Sequence, residues 1–380
     1  KVGPGESCSF GHAGVLSETS ALPNAMPGVM VKVPKWLLDP EGPLYIRFRY
    51  LPKLLPWLLR FLKAGTASES ENTVRSLLAL NAGTVEKYQT LVNGSQVRSL
   101  IRPSGYLNVY QNESSFKHAS RGWELLRRHG AQLRMLSREE LHELEPTLSP
   151  SYSRAVLIEN QGYTTNPFRL AQVLSEQFSQ NGGIILRREV REVRLSAEGN
   201  VRLNLDLGYV ESKKLVVAAG AWSHRFTAQL GVSIPLETER GYHVTIAHPE
   251  VLPSHVIMEA ERKFVATPME IGLRFAGTAE LAGLEAPPNY ERAEILLRLG
   301  KRMFPGISGT EKTEWMGHRP SLPDSRPVIG KCPDAPNILF AFGHGHRGLI
   351  GAPMTGEIIT DLIANRPPKI DITPFRPERF

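Results

Sequence analysis

Apolar residues three and four apart (Val74, Leu77, Leu78, Val85, Tyr88) predict a helix over residues 69–93, and the same spacing predicts another over 115–129. Ser137 followed by Glu140 has the form of a capping box, opening a short helix that stops before Pro146. Asn166 and Pro167 start the helix PFRLAQVLSEQFSQN, and Gly182 stops it. The period then changes. Residues 184–187 are a short apolar run, after which Val190, Val193 and Leu195, then Val201, Leu203 and Leu205, alternate with polar residues as half-buried strands do. LVVAAG (215–220) ends this stretch as a strand covered on both faces.

Residues 231–320 read as short strands, Tyr242–Ile246, Val256–Glu259, Phe264–Thr267 and Ile271–Gly277, with a helix at 291–303. That predicts an antiparallel sheet in a second domain. The remainder returns to α/β style, with strand 337–342, a glycine-rich loop and a helix over 353–364. Residues 44–63, LYIRFRYLPKLLPWLLRFLK, predict a helix pair turning Leu54, Leu55, Leu58 and Leu59 inward, broken near Pro52 and Pro56. Its basic, amphipathic pattern also suits a segment lying on an anionic lipid surface, the less favoured of the two readings because mixed helices of this kind are common.

A chain of 380 residues holds two to three domains, and 41% hydrophobic with 22% charged residues excludes wholesale disorder. Cys8 and Cys332 cannot form a disulfide framework, which fits a reducing, cytoplasmic setting. The net charge of +7 is scattered, without the basic stripe of a nucleic-acid binder. No apolar stretch is long enough to span a bilayer.

Chemistry concentrates in a few loops. FGHGHRG (342–348) carries Gly343, Gly345 and Gly348 in a G-x-G-x-x-G spacing between strand and helix, with His344, His346 and Arg347 among them. No acid follows at the distance a dinucleotide site needs, but amides at a helix start suit a negatively charged ring edge. GHRPSLPDSRPVIG (317–330) places Arg319 in a proline-stiffened loop, and arginine suits bidentate carboxylate recognition. SFGHAG (9–14) sets His12 between glycines, and RGYH (240–243) sets Tyr242 at the start of the second sheet. Hydrolase and metalloprotease motifs are absent, and His318, His344 and His346 lack the partners of a metal site.

In their order along the chain, SFGHAGVLS, PGVMVKVPKWLLDPEGPLYIR, LEP (144–146), VVAAGAWS (216–223), RGYH, GHRPSLPDSRPVIG and FGHGHRGLIGAPMTG resemble the D-amino acid dehydrogenase branch of the FAD-dependent amine and D-amino acid oxidase family. The resemblance implies an α/β, two-domain fold of α+β type. A discontinuous FAD-binding Rossmann-like domain would comprise 1–30, 150–230 and 322–380, and an antiparallel-sheet substrate domain 31–149 and 231–321. It implies that Gly343 and the Gly345–Leu349 loop (Gly345, His346, Arg347, Gly348, Leu349) face the pyrimidine end of the flavin. Gly11, His12, Ala13 and Gly14 would run along the ring, although relatives often carry Asn where His12 stands. Val190, Ala218, Ala219, Gly220 and Trp222 would lie around the adenosine and pyrophosphate. Arg319 is similar to a carboxylate clamp and Tyr242 to a substrate-side hydroxyl, with His12 or His344 assisting proton transfer.

The activity implied is oxidative deamination of D-amino acids to 2-oxo acids and ammonia by hydride transfer to flavin N5. Electrons would pass to a quinone or other carrier, with residues 44–63 making peripheral contact with the inner face of the cell membrane. Two alternatives remain open: an oxygen-using glycine, sarcosine or proline-type oxidase, and a non-catalytic binding remnant. The second arises because the opening βαβ unit with its G-x-G-x-x-G, which such proteins carry, is missing from this sequence. An incomplete chain that binds FAD poorly fits that gap better than a divergent protein, since the flavin-facing motifs downstream are retained.

Overall fold

The computed structural model describes residues 3–92, 97–195, 199–309 and 311–380. A sheet of ten strands organises it, running Val15–Leu16, Arg154–Thr164, Ile101–Tyr110, Val256–Glu259, Phe264–Met269, Gly272–Leu281, Glu237–Ile246, Lys312–Ser321. Leu44–Ile46 and Leu133–Leu136 pair beside it. Val15–Leu16 and Arg154–Thr164, which the sequence reading assigned to the FAD-binding unit, belong to this large sheet.

Period-two alternation gives Glu237–Ile246 two different faces. Tyr242, Val244 and Ile246 turn toward helix Glu291–Met303 and join Ile295, Leu296 and Leu299 in one core. Burying each such aliphatic side chain contributes about 1.5–3 kcal/mol, which fixes the register of this strand. Glu239, Gly241, His243 and Thr245 are thereby left on the opposite face. The neighbouring strand sets Arg319, Gly317 and Trp315 directly across from Glu239, Gly241 and His243. One face of one strand pair therefore carries the candidate chemistry.

A three-stranded sheet joins Val328–Cys332, Ala335–Phe342 and, in parallel, Leu215–Val217. Ala335–Phe342 leads through Gly343–Arg347 into helix Gly348–Ile363, which starts five residues before the predicted position. The two alternating strands form as predicted, Val190–Leu195 against Val201–Leu205, and a third strand, Tyr209–Ser212, extends them into a meander.

Several expectations are corrected. Residues 69–93 are two helices, Ala67–Asn81 and Thr84–Leu91, because Gly83 at φ 67° takes a left-handed conformation between them (residue 93 lies outside the described residues). Residues 184–187 are not a strand, and Ile184 is 80% exposed. Leu215–Val217 is an edge strand with only Val217 buried, so it is not covered on both faces. Residues 44–63 give a short strand and one helix, Leu51–Ala64, that runs through Pro56. Pro52 falls in its first turn, where a missing N–H costs little, whereas Pro56 lies inside the helix and removes the bond to the Pro52 carbonyl.

Candidate functional site

Arg319 lies flat across the strand beside it. A Cβ on Gly241 would stand 2.1 Å from its Nη2, so only glycine leaves room for the guanidinium. Beyond Gly241 the side chain donates to Thr278 O at 2.7 Å and Gly277 O at 3.1 Å. Successive carbonyls in a regular strand point opposite ways. Here both accept from one guanidinium because the pairing breaks register at Arg240/Tyr242 and Thr278 takes φ 54°. Those two bonds use two of the five guanidinium N–H groups.

Arg319, Glu239, Arg347, His12 and His346 form one electrostatic unit. Burial pulls the Arg319 pKa down while the Glu239 carboxylate opposes it, and burial pushes Glu239 up. Arg347 is buried and donates to Ser20 O and Leu22 O. His346 keeps an exposed surface, but desolvation by the loops packed around it, then the Arg347 and Arg319 charges, hold its pKa below the usual range. His12 is lowered to about 4, chiefly by burial, with Arg319 and Arg274 adding to it. Its Nδ1 accepts the Gly14 N–H at 3.0 Å, so Nε2 carries the proton and donates to His346 O at 3.1 Å. The N-terminal glycine loop and the loop at 343–348 thus touch directly, and His12 and His346 both lie within electrostatic reach of Arg319.

Sequence reasoning missed the groups that hold the first of these loops. Buried Arg274 donates to Phe10 O at 3.1 Å and His12 O at 2.8 Å, and its Nε donates to Thr245 Oγ1 at 3.1 Å. His243 Nδ1 bonds Gly11 O at 3.1 Å, and Thr267 Oγ1 donates to Ala13 O at 2.7 Å. The benzo ring of Trp315 fills the space that side chains on Gly11 and Gly317 would need, and it stacks on His243 at 5.4 Å. A charged residue at an alternating position inside the apolar run GLRFAG was the available signal for Arg274.

Two expected residues point elsewhere. Tyr242 lies on the other face of the sheet, where its hydroxyl bonds Glu280 and accepts the Asn289 N–H at 2.9 Å. Its place in the core beside Ile295 and Leu296 removes it from the Arg319 face. His344 turns back onto its own helix, Nε2 lying 2.9 Å from Thr355 Oγ1, whose proton goes to Gly351 O. Neither ring faces the loops. The Leu349 carbonyl accepts from Tyr88, and Gly348 opens helix Gly348–Ile363. Val190 begins its strand beside Leu205. Ala218, Ala219 and Gly220 leave the edge strand with Gly220 at φ 55°, a Cβ there would meet nothing within 4 Å, and Trp222 lies edge-on to His318 at 5.5 Å.

Would these residues hold a flavin? The Arg319 face gathers three guanidiniums, Arg274, Arg319 and Arg347, against one carboxylate, Glu239, so it favours an anionic group. Ser321 Oγ is buried there without a partner, beside Gly345 and a cavity of about 10 Å³ that also borders Asn24, Gly343 and Arg347. An orphaned hydroxyl, a loop opening a helix and a positive surround suit the polar edge of a flavin ring. Ser223 Oγ, just after the open Gly220 turn, is likewise buried and unpartnered. Among the described residues no cluster of side chains could hold a metal ion.

Buried His243 and half-buried His12 and His344 set a pH dependence. His12, His243 and His344 are held at about 4, 3 and 4, mainly by burial, against 6.5 for an unperturbed histidine. A folded pKa below the unfolded one means the unfolded chain takes up protons first as the pH falls. Stability from these groups is therefore complete above about pH 6.5 and is lost on acidification toward pH 4, at up to about 1.4 kcal/mol per pH unit per histidine. Urea midpoints should fall steeply between pH 6.5 and 4.5, and His243→Asn should make that slope shallower. An unchanged slope in the variant would remove His243 from the account.

A profile of the FAD dependent oxidoreductase family (DAO) matches residues 2–362. The chain is 39% identical over 389 residues to a D-amino-acid oxidase of Bradyrhizobium diazoefficiens, covering 100% of this chain and 92% of that one. It is 32% identical over 399 residues to a D-amino acid dehydrogenase of Paramagnetospirillum magneticum, at 100% and 92% coverage. Among solved structures, glycine oxidase from Geobacillus kaustophilus superposes with a TM-score of 0.77 at 20% identity, over 99% of this chain and 90% of that one.

Proposed function

Because the chain belongs to the FAD dependent oxidoreductase family DAO, an enzyme family with FAD as its cofactor, we propose that it oxidatively deaminates D-amino acids at the Arg319 face. The observation that carries this reading is the seating of Arg319: a guanidinium laid on Gly241, fixed by two carbonyls, with N–H groups to spare beside both glycine loops. Arg319 takes the substrate carboxylate bidentately, and its two backbone bonds keep the fork from swinging, so little entropy is lost on binding. When bound, FAD supplies the N5 acceptor for the Cα hydrogen and its electron pair. The substrate nitrogen gives up a proton, and the imino acid hydrolyses to a 2-oxo acid and ammonia.

His12 stays uncharged at neutral pH and donates from Nε2, so it orients polar groups and adds no positive charge beside the amine. That favours the neutral amine which the reaction needs. The Gly345–Leu349 loop and Ser321 would hold the polar edge of the ring. Gly11, Ala13 and Gly14 would flank it. Val190, Ala218, Ala219, Gly220 and Trp222 would border the nucleotide portion. The discontinuous division into an FAD unit and a substrate unit holds in this reading, with Arg154–Thr164 and Val15–Leu16 moved to the substrate side. Electrons leave to a quinone-type carrier.

Oxygen as acceptor is the second reading, favoured by the relative named D-amino-acid oxidase. Purified protein supplied with FAD should reduce a dye with D-alanine and release ammonia, should ignore L-alanine, and should make little peroxide per turnover. Peroxide matching turnover would assign oxygen as acceptor. A colourless protein that takes up no FAD and turns over no D-amino acid would overturn the enzymatic reading.

A further inference from the structure

Glu239 is a buried acid that the arginines beside it leave unclaimed. It is 8% exposed and stands directly across from Arg319 in the strand pair. Buried carboxylates are ordinarily closed into ion pairs, because an uncompensated charge away from water is costly. Two guanidiniums are near enough for their charge to act on Glu239, yet both bond backbone carbonyls. Arg319 takes Thr278 O and Gly277 O, and Arg347 takes Ser20 O and Leu22 O. Among the described residues neither forms an ion pair with Glu239. Asn24 and Ser321 are its polar neighbours, and Glu237, two residues back on the same strand, already accepts from the Tyr50 hydroxyl at 2.9 Å.

This arrangement suits one kind of ligand. Directly opposed residues of an antiparallel pair stand about 4.5–5.5 Å apart at Cα. Arg319 and Glu239 therefore offer a positive and a negative group side by side on one face, and the backbone bonds of Arg319 keep the two from closing on each other. An α-amino acid carries its carboxylate and its ammonium on a single carbon, so a zwitterion placed there has each charge answered. A ligand with a carboxylate alone leaves Glu239 facing an anion. Burial raises the Glu239 pKa while the Arg319 charge opposes it, so this group takes up a proton more readily than an exposed carboxylate.

We propose that Glu239 binds the substrate ammonium and accepts its proton while Arg319 holds the substrate carboxylate. The inference rests on the proposed function for where the substrate lies. An N–H bond of the ammonium breaks as an O–H bond forms on Glu239, leaving a neutral amine. The amine lone pair becomes the second carbon–nitrogen bond as the Cα hydrogen departs with its electron pair to flavin N5. The amino acid is oxidised by two electrons, FAD is reduced by two, and Glu239 returns its proton to water as the imino acid leaves.

Two ligands isolate the ammonium: 2-aminoisobutyrate, which has no Cα hydrogen to lose, and isobutyrate, the same skeleton without the nitrogen. In calorimetry the FAD-loaded protein should bind 2-aminoisobutyrate about 10²-fold more tightly than isobutyrate, and Glu239→Gln should erase that preference while binding isobutyrate at least as well. The second-order rate of flavin bleaching by D-alanine should be flat between about pH 7 and 9 in the parent. In Glu239→Gln it should rise about tenfold per pH unit, because only amine already neutral in solution then reacts.

A parent that binds both ligands equally would overturn the proposal, and that comparison needs no variant to fold. So would a Glu239→Gln protein that keeps the preference, or one whose bleaching rate stays flat with pH. Arg319→Met separates the two layers. If it leaves isobutyrate affinity unchanged, the proposed substrate site is itself misplaced. If it weakens isobutyrate while Glu239→Gln keeps the preference for 2-aminoisobutyrate, only the role of Glu239 falls.

Discussion

Arg319→Met lowers kcat/KM for a D-amino acid by about 10²–10³-fold, and the loss falls mainly on KM. Removing one partner of a buried, hydrogen-bonded charge pair costs about 2–5 kcal/mol, and each 1.4 kcal/mol is about a factor of ten. The loss sits in KM because the carboxylate is held alike in ground and transition states. Arg319→Lys should recover little, since an ammonium cannot reach Thr278 O and Gly277 O while also presenting a fork to the substrate. Gly241→Ala is the sharper companion. Its methyl would stand 2.1 Å from Nη2, so it should evict the guanidinium without changing a single charge. Steady-state kinetics with D-alanine check all three variants. If Gly241→Ala leaves KM unaltered, Arg319 does not act from its position over that glycine.

Arg274→Met should destabilise the fold by about 3–5 kcal/mol, because a buried guanidinium that satisfies three acceptors disappears and two carbonyls of the N-terminal loop lose their donor. The thermal midpoint should fall on the order of 5–10 °C. The consequence is also local. Among the described residues Phe10 O and His12 O take their side-chain hydrogen bonds from Arg274 alone, so amide hydrogen exchange over residues 10–14 should speed up more than over helix Glu291–Met303. A uniform acceleration across the molecule would mean that Arg274 stabilises the sheet in general and does not anchor the loop. FAD affinity should drop with loop order, since Gly11–Gly14 border the proposed ring site.

Much of the local structure was legible in order along the chain. The capping box at Ser137 and Glu140 forms as written, the Asn166 side chain caps Pro167–Gln180, and helix Glu291–Met303 occupies its predicted residues. These are contacts within a few residues of one another, and local sequence is enough to specify them. The glycine loops, Arg319 and the histidines were also visible as motifs, and the structure brings Arg319, His12 and His346 to one face. Tyr242 and His344 belong to the same motifs yet face elsewhere, because a motif does not state on which side of a strand or loop a side chain falls.

The set of elements, the chemistry present and the family to which it points were therefore legible along the chain. Which of those groups meet was settled only by folding. Gly241 is written next to Tyr242 but serves Arg319, which is 78 positions away in sequence and lies over it only because two strands pair in one register. Arg274, His243 and Thr267 grip the carbonyls of a loop more than 230 residues earlier, and no periodicity in the chain could announce those bonds. The physical reason is the same in each case. Hydrogen bonds to backbone carbonyls carry no residue signature on the accepting side, and sheet register is set by burial of the opposite face, so both appear only when the whole core is in place.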